Sequence, residues 1–375
     1  MTKQRLKAVL AAVLLTCSSM SAWGQATNSC MDADWQPWVR AKSKLITAEG
    51  RVVDESDPRR ITTSEGQSYG LFMALVHNDT TLFRKLLHWT EMHLAGGDLG
   101  KQLPAWLWGR DDEGKWGVLD SNSASDSDLW IAYSLLEAGR LWNEVGYTLL
   151  ANELLSHIAK SEVTTLDDLG VVLLPGEKGF RHDGRTRLNP SYLPPQVAKR
   201  IAEHVGRPPW TDLADNTSDF LRRTSPIGIA PDWITWTNGR FEAASDMEKQ
   251  GSYDAIRVYL WIGMLDDGAE EAPALKTHFR AIERYVDKSG RVAERINWMT
   301  GEADSRASYG FSAALLPLLQ SSAKYKNLLQ YVQDVGGQET GYYNTMLALF
   351  GLAWDQERYR FSADGKLLPS WGACQ

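Results

Sequence analysis

The sequence predicts an all-α ring of alternating inner and outer helices, an α/α barrel, on three observations. A small polar start rich in Tyr or Asp, followed by a strongly apolar helix, occurs six times along the chain. Between these segments lie amphipathic ones, whose apolar residues recur at three- and four-residue spacing with charges opposite. Alternating β-branched runs, which an α/β fold would need, are sparse. A helix that is apolar all round has to be buried on nearly all sides, whereas an amphipathic one keeps one face wet. A toroid satisfies both demands.

In chain order the apolar segments are "TTSEGQSYGLFMAL" (62–75), "SNSASDSDLWIAYSLLEAGRLW" (121–142) and "LNPSYLPPQVAKRIAEHV" (188–205). "GSYDAIRVYLWIGML" (251–265), "SYGFSAALLPLLQ" (308–320) and "ETGYYNTMLALFGLAW" (339–354) complete the set. The amphipathic partners read from the pattern are 81–95, 146–163, 211–224 and 274–289. "GVVLLP" (170–175) and "GKLLPSW" (365–371) are short strands or loop edges, and 173–196 reads as one long surface loop. Inner helices of such a barrel all start at one end, so their polar starts should cluster around one cleft.

The N-terminus carries Lys3, Arg5 and Lys7, then an apolar stretch from Ala8 to Leu15, then small residues. This is the pattern of a secretory signal, expected to be removed near Gly24 or Ala26. Residues 1–25 are therefore assigned to the signal peptide and 26–375 to one catalytic domain, since no Gly/Ser or Pro linker divides them. A lipoprotein reading through Cys17 would put Thr16, a larger residue than that processing favours, before the cysteine. No other segment approaches the ~18 apolar residues of a membrane span, so an exported protein without membrane insertion is expected.

Net charge is −7, which offers no basic field to nucleic acid or an anionic membrane. The 16 Trp and 13 Tyr supply core material, and also flat faces of the kind that stack on pyranose rings. Beyond the signal two cysteines remain, Cys30 and Cys374, which could pair in an oxidising compartment or stay separate. Neither they nor the seven scattered His residues have metal-ligand spacing.

Three acids stand at the starts of apolar segments: Glu65, Asp126 (with Asp128 two residues on) and Asp254. Each alone is an ordinary helix-start residue, favoured by the helix dipole. Together, flanked by small polar residues and aromatics, they fit glycosidic bond cleavage. That reaction needs one carboxylic acid to protonate the leaving oxygen and one carboxylate to activate water. Arg257, one helical turn from Asp254, could face it and hold it charged. Trp108, with Trp106 and Trp116 beside it in a Gly-rich stretch expected to be exposed, is the first candidate for sugar stacking. Tyr69, Asp128, Tyr192, Tyr253, Arg257 and Tyr309 are further candidates for substrate contacts, against core packing for any one aromatic.

At this point the residues meet a known pattern. "ASDSDLWIAYSLLEAGRLW" (124–142) closely resembles the signature of glycoside hydrolase family 8, with Ala124, Ser125, Asp126, Asp128, Ile131, Ala132, Ser134, Ala138 and Trp142 in place. Ser127 stands where the signature has Ala or Gly, a small change. The resemblance continues through "TTSEGQSYG", "LPAWLWG", "NPSYLPP", "SYDAIRVY" and "GFSAALLPLLQ", and is greatest to the members associated with bacterial cellulose synthase.

The resemblance implies an (α/α)6 barrel of six inner and six outer helices, and inverting endo-hydrolysis of β-1,4-glucan. It implies Glu65 as proton donor, Asp254 as general base and Asp126 as the signature aspartate, sometimes labelled a nucleophile. Because inversion forms no glycosyl-enzyme, Asp126 is read instead as a group that holds and distorts the sugar. No cofactor is implied, since acid, base and water suffice. A cellulose chain is the implied partner, with the cellulose synthase complex a possible second, in the periplasm. Two alternatives remain open: a same-family hydrolase of xylan or mixed-linkage glucan, and a non-catalytic glucan-binding export subunit.

Overall fold

The computed structural model describes residues 35–336 and 341–374. The predicted signal peptide and Cys30, and with it the expected pairing to Cys374, lie outside the described residues. In chain order the helices are α1 (Gln36–Leu45), α2 (Ser64–Val76), α3 (Thr80–Leu94), α4 (Ser125–Leu141) and α5 (Val145–Ser161). Then come α6 (Pro195–Val205), α7 (Trp210–Thr224), α8 (Ala255–Gly263) and α9 (Ala272–Phe279). The series ends with α10 (Tyr309–Ala314), α11 (Leu316–Leu319), α12 (Tyr325–Val335) and α13 (Tyr342–Asp355).

The apolar helices form the inner ring. Contacts run α2 to α4, α4 to α6, α6 to α8, α8 to α10 and α11, and α10 to α13. The ring closes where Phe72 of α2 stacks on Phe350 of α13, with ring centroids 5.2 Å apart. Behind the inner helices lie α3, α5, α7, α9, α12 and α1, packed on α2, α4, α6, α8, α10 and α13 respectively. Burial follows the pattern read from the sequence. All nine residues of α8 are buried, whereas α5 buries only Ala151, Leu154, Leu155 and Ile158, one stripe of a helix. Where α10 meets α13 the backbones touch, because a β-carbon at Gly351 would run into the Ala313 carbonyl.

The barrel axis is filled rather than open. Trp130, Trp261, Phe350 and Tyr69 meet there, with Trp130–Trp261 and Trp261–Phe350 centroids 5.3 Å apart and Tyr69–Phe350 5.1 Å. Each such side chain contributes about 1.5–3 kcal/mol on full burial. With the axis plugged, a substrate can reach the inner helices only at an end.

Several local expectations need correction. Residues 173–196 are not one loop: Arg181–His182 and Arg185–Leu188 pair, and Ile234–Thr237 and Arg240–Glu242 extend them into a four-stranded sheet. The Trp108 stretch is a hairpin, Leu107–Arg110 with Trp116–Asp120, laid against Thr62–Thr63. Gly170–Leu173 and Leu367–Pro369 are strands, paired to Val163–Leu166 and Tyr359–Phe361. The helix expected through 289 ends at Phe279 and tightens to a 3₁₀ stretch, Arg280–Tyr285. Outer helices α1 and α12 escaped the pattern search because each buries few residues, Leu328 and Val332 alone in α12. Among the described residues, no helix is long and apolar enough to cross a membrane.

Away from the helix starts, one polar knot ties α4 to α6 and the C-terminal strand. Glu137 is wholly buried; it accepts from Arg200 Nε at 2.6 Å and from the Leu367 N–H at 2.8 Å, and also pairs with Arg140. Removing the carboxylate leaves the buried Arg200 with Glu203 as its remaining acid and takes the acceptor from the Leu367 N–H. Glu137→Ala should therefore cost about 3–5 kcal/mol in urea unfolding, with the acids at the other end of α4 untouched.

Candidate active site

The starts of α2, α4 and α8 bring Glu65, Asp126 and Asp254 around one guanidinium. Glu65 is the one residue of α2 that is not buried. Its helix does not need it as a cap, since the Thr63 hydroxyl accepts the Gly66 N–H at 3.1 Å. Arg257, one turn into α8, donates from Nη2 to Asp254 Oδ1 at 2.6 Å and to Ser191 Oγ at 3.0 Å. Its Nη1 donates to Glu65 Oε2, to Asp126 Oδ2 at 3.3 Å and to the Tyr69 hydroxyl at 3.3 Å. Glu65 and Asp254 keep 20% and 27% of their side chains open, whereas Asp126 and Arg257 keep 6% and 3%. Two carboxyls thus face the cleft, and one lies beneath them with the cation.

Three carboxyls share one positive charge, which favours a proton on one of them. Burial pushes the Glu65 carboxyl up to about 7, against the pull of Arg257 and with a further push from the Asp126 charge. Burial also raises Asp126, partly offset by Arg257 and by the Ser127 N–H, which donates to its Oδ1 at 2.7 Å. Glu65 Oε1 accepts from the Tyr342 hydroxyl at 2.9 Å. The Tyr192 ring lies 5.6 Å from the guanidinium. Its turn is held by Trp261 Nε1, which donates to the Ser191 carbonyl at 2.9 Å.

Other residues read from the sequence fall in different places. Tyr69 is at the cleft floor, buried beneath Arg257. Tyr253 is on the rim, 51% exposed, its ring against Phe311 and Tyr343. Trp108 is partly exposed, but Trp116 stacks on it with centroids 5.0 Å apart and the Arg51 guanidinium lies 4.4 Å from its ring.

Two substrate contacts are corrected. Asp128 has no exposed surface and interacts with the equally buried Glu162 rather than with the cleft. Burial and the Glu162 charge hold Asp128 well above the carboxylate range, and burial pushes Glu162 up to about 8, so this pair retains a proton. Tyr309 lines a groove between α1, α12 and α13 with Pro37 and Val332. Tyr342 and Ser191 belong to the site and were missed as individuals. Tyr342 was visible only as one of two tyrosines at the start of the last apolar segment.

A cleft with one part-buried acid raised to near neutrality, and a second carboxylate held across it by a cation, is equipped for acid–base hydrolysis of a glycosidic bond. The comparisons agree with that class. The model of the family described as glycosyl hydrolases family 8 matches residues 3–357. The endoglucanase of Escherichia coli (strain K12) is 46% identical over 339 residues, 90% of this chain and 92% of that protein. The endoglucanase of Xanthomonas axonopodis pv. citri (strain 306) is 45% identical over 381 residues, 99% of this chain and 98% of that protein. The crystal structure of endo-1,4-D-glucanase from Vibrio fischeri ES114 superposes with a TM-score of 0.86 at 45% identity, covering 90% of this chain and 99% of that one. The chain belongs to glycosyl hydrolase family 8.

A general acid works only while protonated. If Glu65 is that acid, activity falls as pH rises through about 7, where it gives up its proton. Glu65→Gln should lower kcat by roughly 10²–10⁴ and abolish that basic limb, as read from pH–rate profiles on a soluble β-glucan.

Proposed function

We propose that this protein is an endo-β-1,4-glucanase that cleaves cellulose chains with inversion at the anomeric carbon. The observation that carries the reading is the clamp at Arg257: Glu65 and Asp254 bind different nitrogens of one guanidinium, which stands between them. Inverting enzymes leave roughly 6.5–9.5 Å between their carboxyls for a water, whereas retaining enzymes leave about 5–5.5 Å. The clamp holds both acids on one cleft, and the resemblance to family 8 supplies the expectation that they stand at the wider spacing. The names of the relatives, endoglucanase and endo-1,4-D-glucanase, support the substrate.

In this reading Glu65 gives its proton to the glycosidic oxygen as the bond to the anomeric carbon breaks. Asp254 takes a proton from the water that attacks the opposite face of that carbon. One water is consumed, one new reducing end appears, and solvent returns the proton from Asp254 to Glu65. Both oxygens of Glu65 accept hydrogen bonds in the free protein, so an added proton takes a remaining lone pair or reverses one of these bonds. The Tyr342 hydroxyl can accept as well as donate, and is the partner able to reverse. Asp126, below the acid, binds a sugar hydroxyl and favours the distorted ring, where such bonds tighten in the transition state.

We further place the protein in the periplasm, acting on cellulose during its synthesis and export beside the synthase complex. The basic and apolar residues of the N-terminus and the resemblance to synthase-associated family members support this.

Cellohexaose hydrolysis by the mature protein, followed by proton NMR, tests the reaction. The α-anomer should appear first at the new reducing ends. An initial β-anomer would mean retention, and glucan binding with no new reducing ends would leave a glucan-guiding protein instead.

A further inference from the structure

Helix α8 begins in an unusual way. Asp254 occupies its N-cap position with φ −79° and ψ −47°, yet makes no side-chain cap bond. An Asp at that position ordinarily spends its carboxylate on the N–H groups of the first turn, which otherwise lack partners. Here the N–H groups that lead into the helix, and its first one, are served from outside it. Oδ1 of Asp232, more than twenty residues upstream, accepts the N–H of Ser252 at 2.8 Å, of Asp254 at 2.9 Å and of Ala255 at 2.8 Å. The Asp254 carboxylate turns instead to Arg257.

We propose that Asp232 is a positioning residue for the general base. By capping α8 in trans it fixes the backbone of Asp254 and leaves the Asp254 carboxylate free for the attacking water. The inference rests on the reading of Asp254 as the base.

The loop that carries Asp232 is itself pinned. The Asp232 N–H donates to the Gln250 carbonyl at 3.0 Å. The Ala230 N–H donates to the hydroxyl of Tyr259, in the next turn of α8, at 2.9 Å. A β-carbon at Gly251 would strike the Ala230 carbonyl, so only glycine lets the two stretches lie this close. Asp232 is therefore held at both ends against the helix it caps. What the cap needs is an acceptor atom at one place rather than a charge: burial and the nearby Asp254 push the Asp232 carboxyl up to about 6, and three N–H groups pull it down. A neutral carboxamide supplies the same acceptor.

The test compares Asp232→Ala, Asp232→Ser and Asp232→Asn in the mature protein, with kcat and KM on cellohexaose and thermal unfolding of each. Alanine removes the acceptor, and serine draws it back by about one bond length. Asparagine keeps it in place. Loss of near-attack geometry should lower kcat by about 100-fold in the Ala and Ser variants, with KM changed less than about threefold. Asparagine should restore kcat to within about tenfold of the wild type, given that its carbonyl keeps the acceptor. Serine serves as the second variant if alanine fails to fold.

The proposal is overturned if a folded Ala or Ser variant keeps kcat within about threefold, or if Asn is as damaged as Ala. A parallel loss in KM and thermal stability with kcat preserved would also overturn it, showing a structural cap only. A wild-type protein inactive on cellohexaose would instead sink the glucanase reading on which the inference stands.

Discussion

The buried guanidinium of Arg257 is the constraint on which the site depends. It takes one carboxyl from α2, one from α4 and one from its own helix, and adds the Ser191 hydroxyl and the Tyr69 hydroxyl. Without it, three acids gathered at one end of the barrel would repel one another across a medium of low dielectric. With it, they sit close enough to act on one bond. The cation also sets a ceiling to the proton affinity of Glu65: burial raises the acid, and Arg257 stops the rise near neutrality.

The barrel makes this gathering possible by relieving the acids of helix duty. Thr63 caps α2 and Asp232 caps α8, so Glu65 and Asp254 stand at helix starts without serving as caps. The plugged axis does the rest. Trp130, Trp261, Tyr69 and Phe350 fill the space below, which rigidifies the inner helices and confines chemistry to the end where their N-termini meet. Packing of this density leaves little freedom for the first turns that carry the acids.

Much of this was legible in the sequence because inner and outer helices differ in composition. The mostly apolar, wholly buried α8 and the one-striped α5 declare their places by pattern alone. The acids were legible as a set, since each opens an apolar run. Asp128 was misread because its neighbour in the signature points to Arg257 while it turns back to Glu162 at the end of α5; two residues on a helix are about 200° apart. Tyr309 failed for a similar reason, as its helix start points to a groove behind α13. Asp232 was invisible because capping in trans joins positions far apart in sequence, and no local spacing records it. Apart from Gly170–Leu173 and Leu367–Pro369 the strands were hidden too, being two to five residues long and anchored by tertiary contacts.

Arg257→Lys tests the account most directly. Lysine keeps the charge but, as a point ammonium, cannot reach three carboxyls and two hydroxyls from a planar fork. The fold should persist while kcat on cellohexaose falls by about 100-fold or more. The basic limb near 7 should move to higher pH, because the guanidinium bonded to Glu65 holds its carboxyl down and an ammonium that loses this contact holds it down less. A variant with kcat within about threefold of wild type and an unmoved limb would contradict the claim that this guanidinium organises the site.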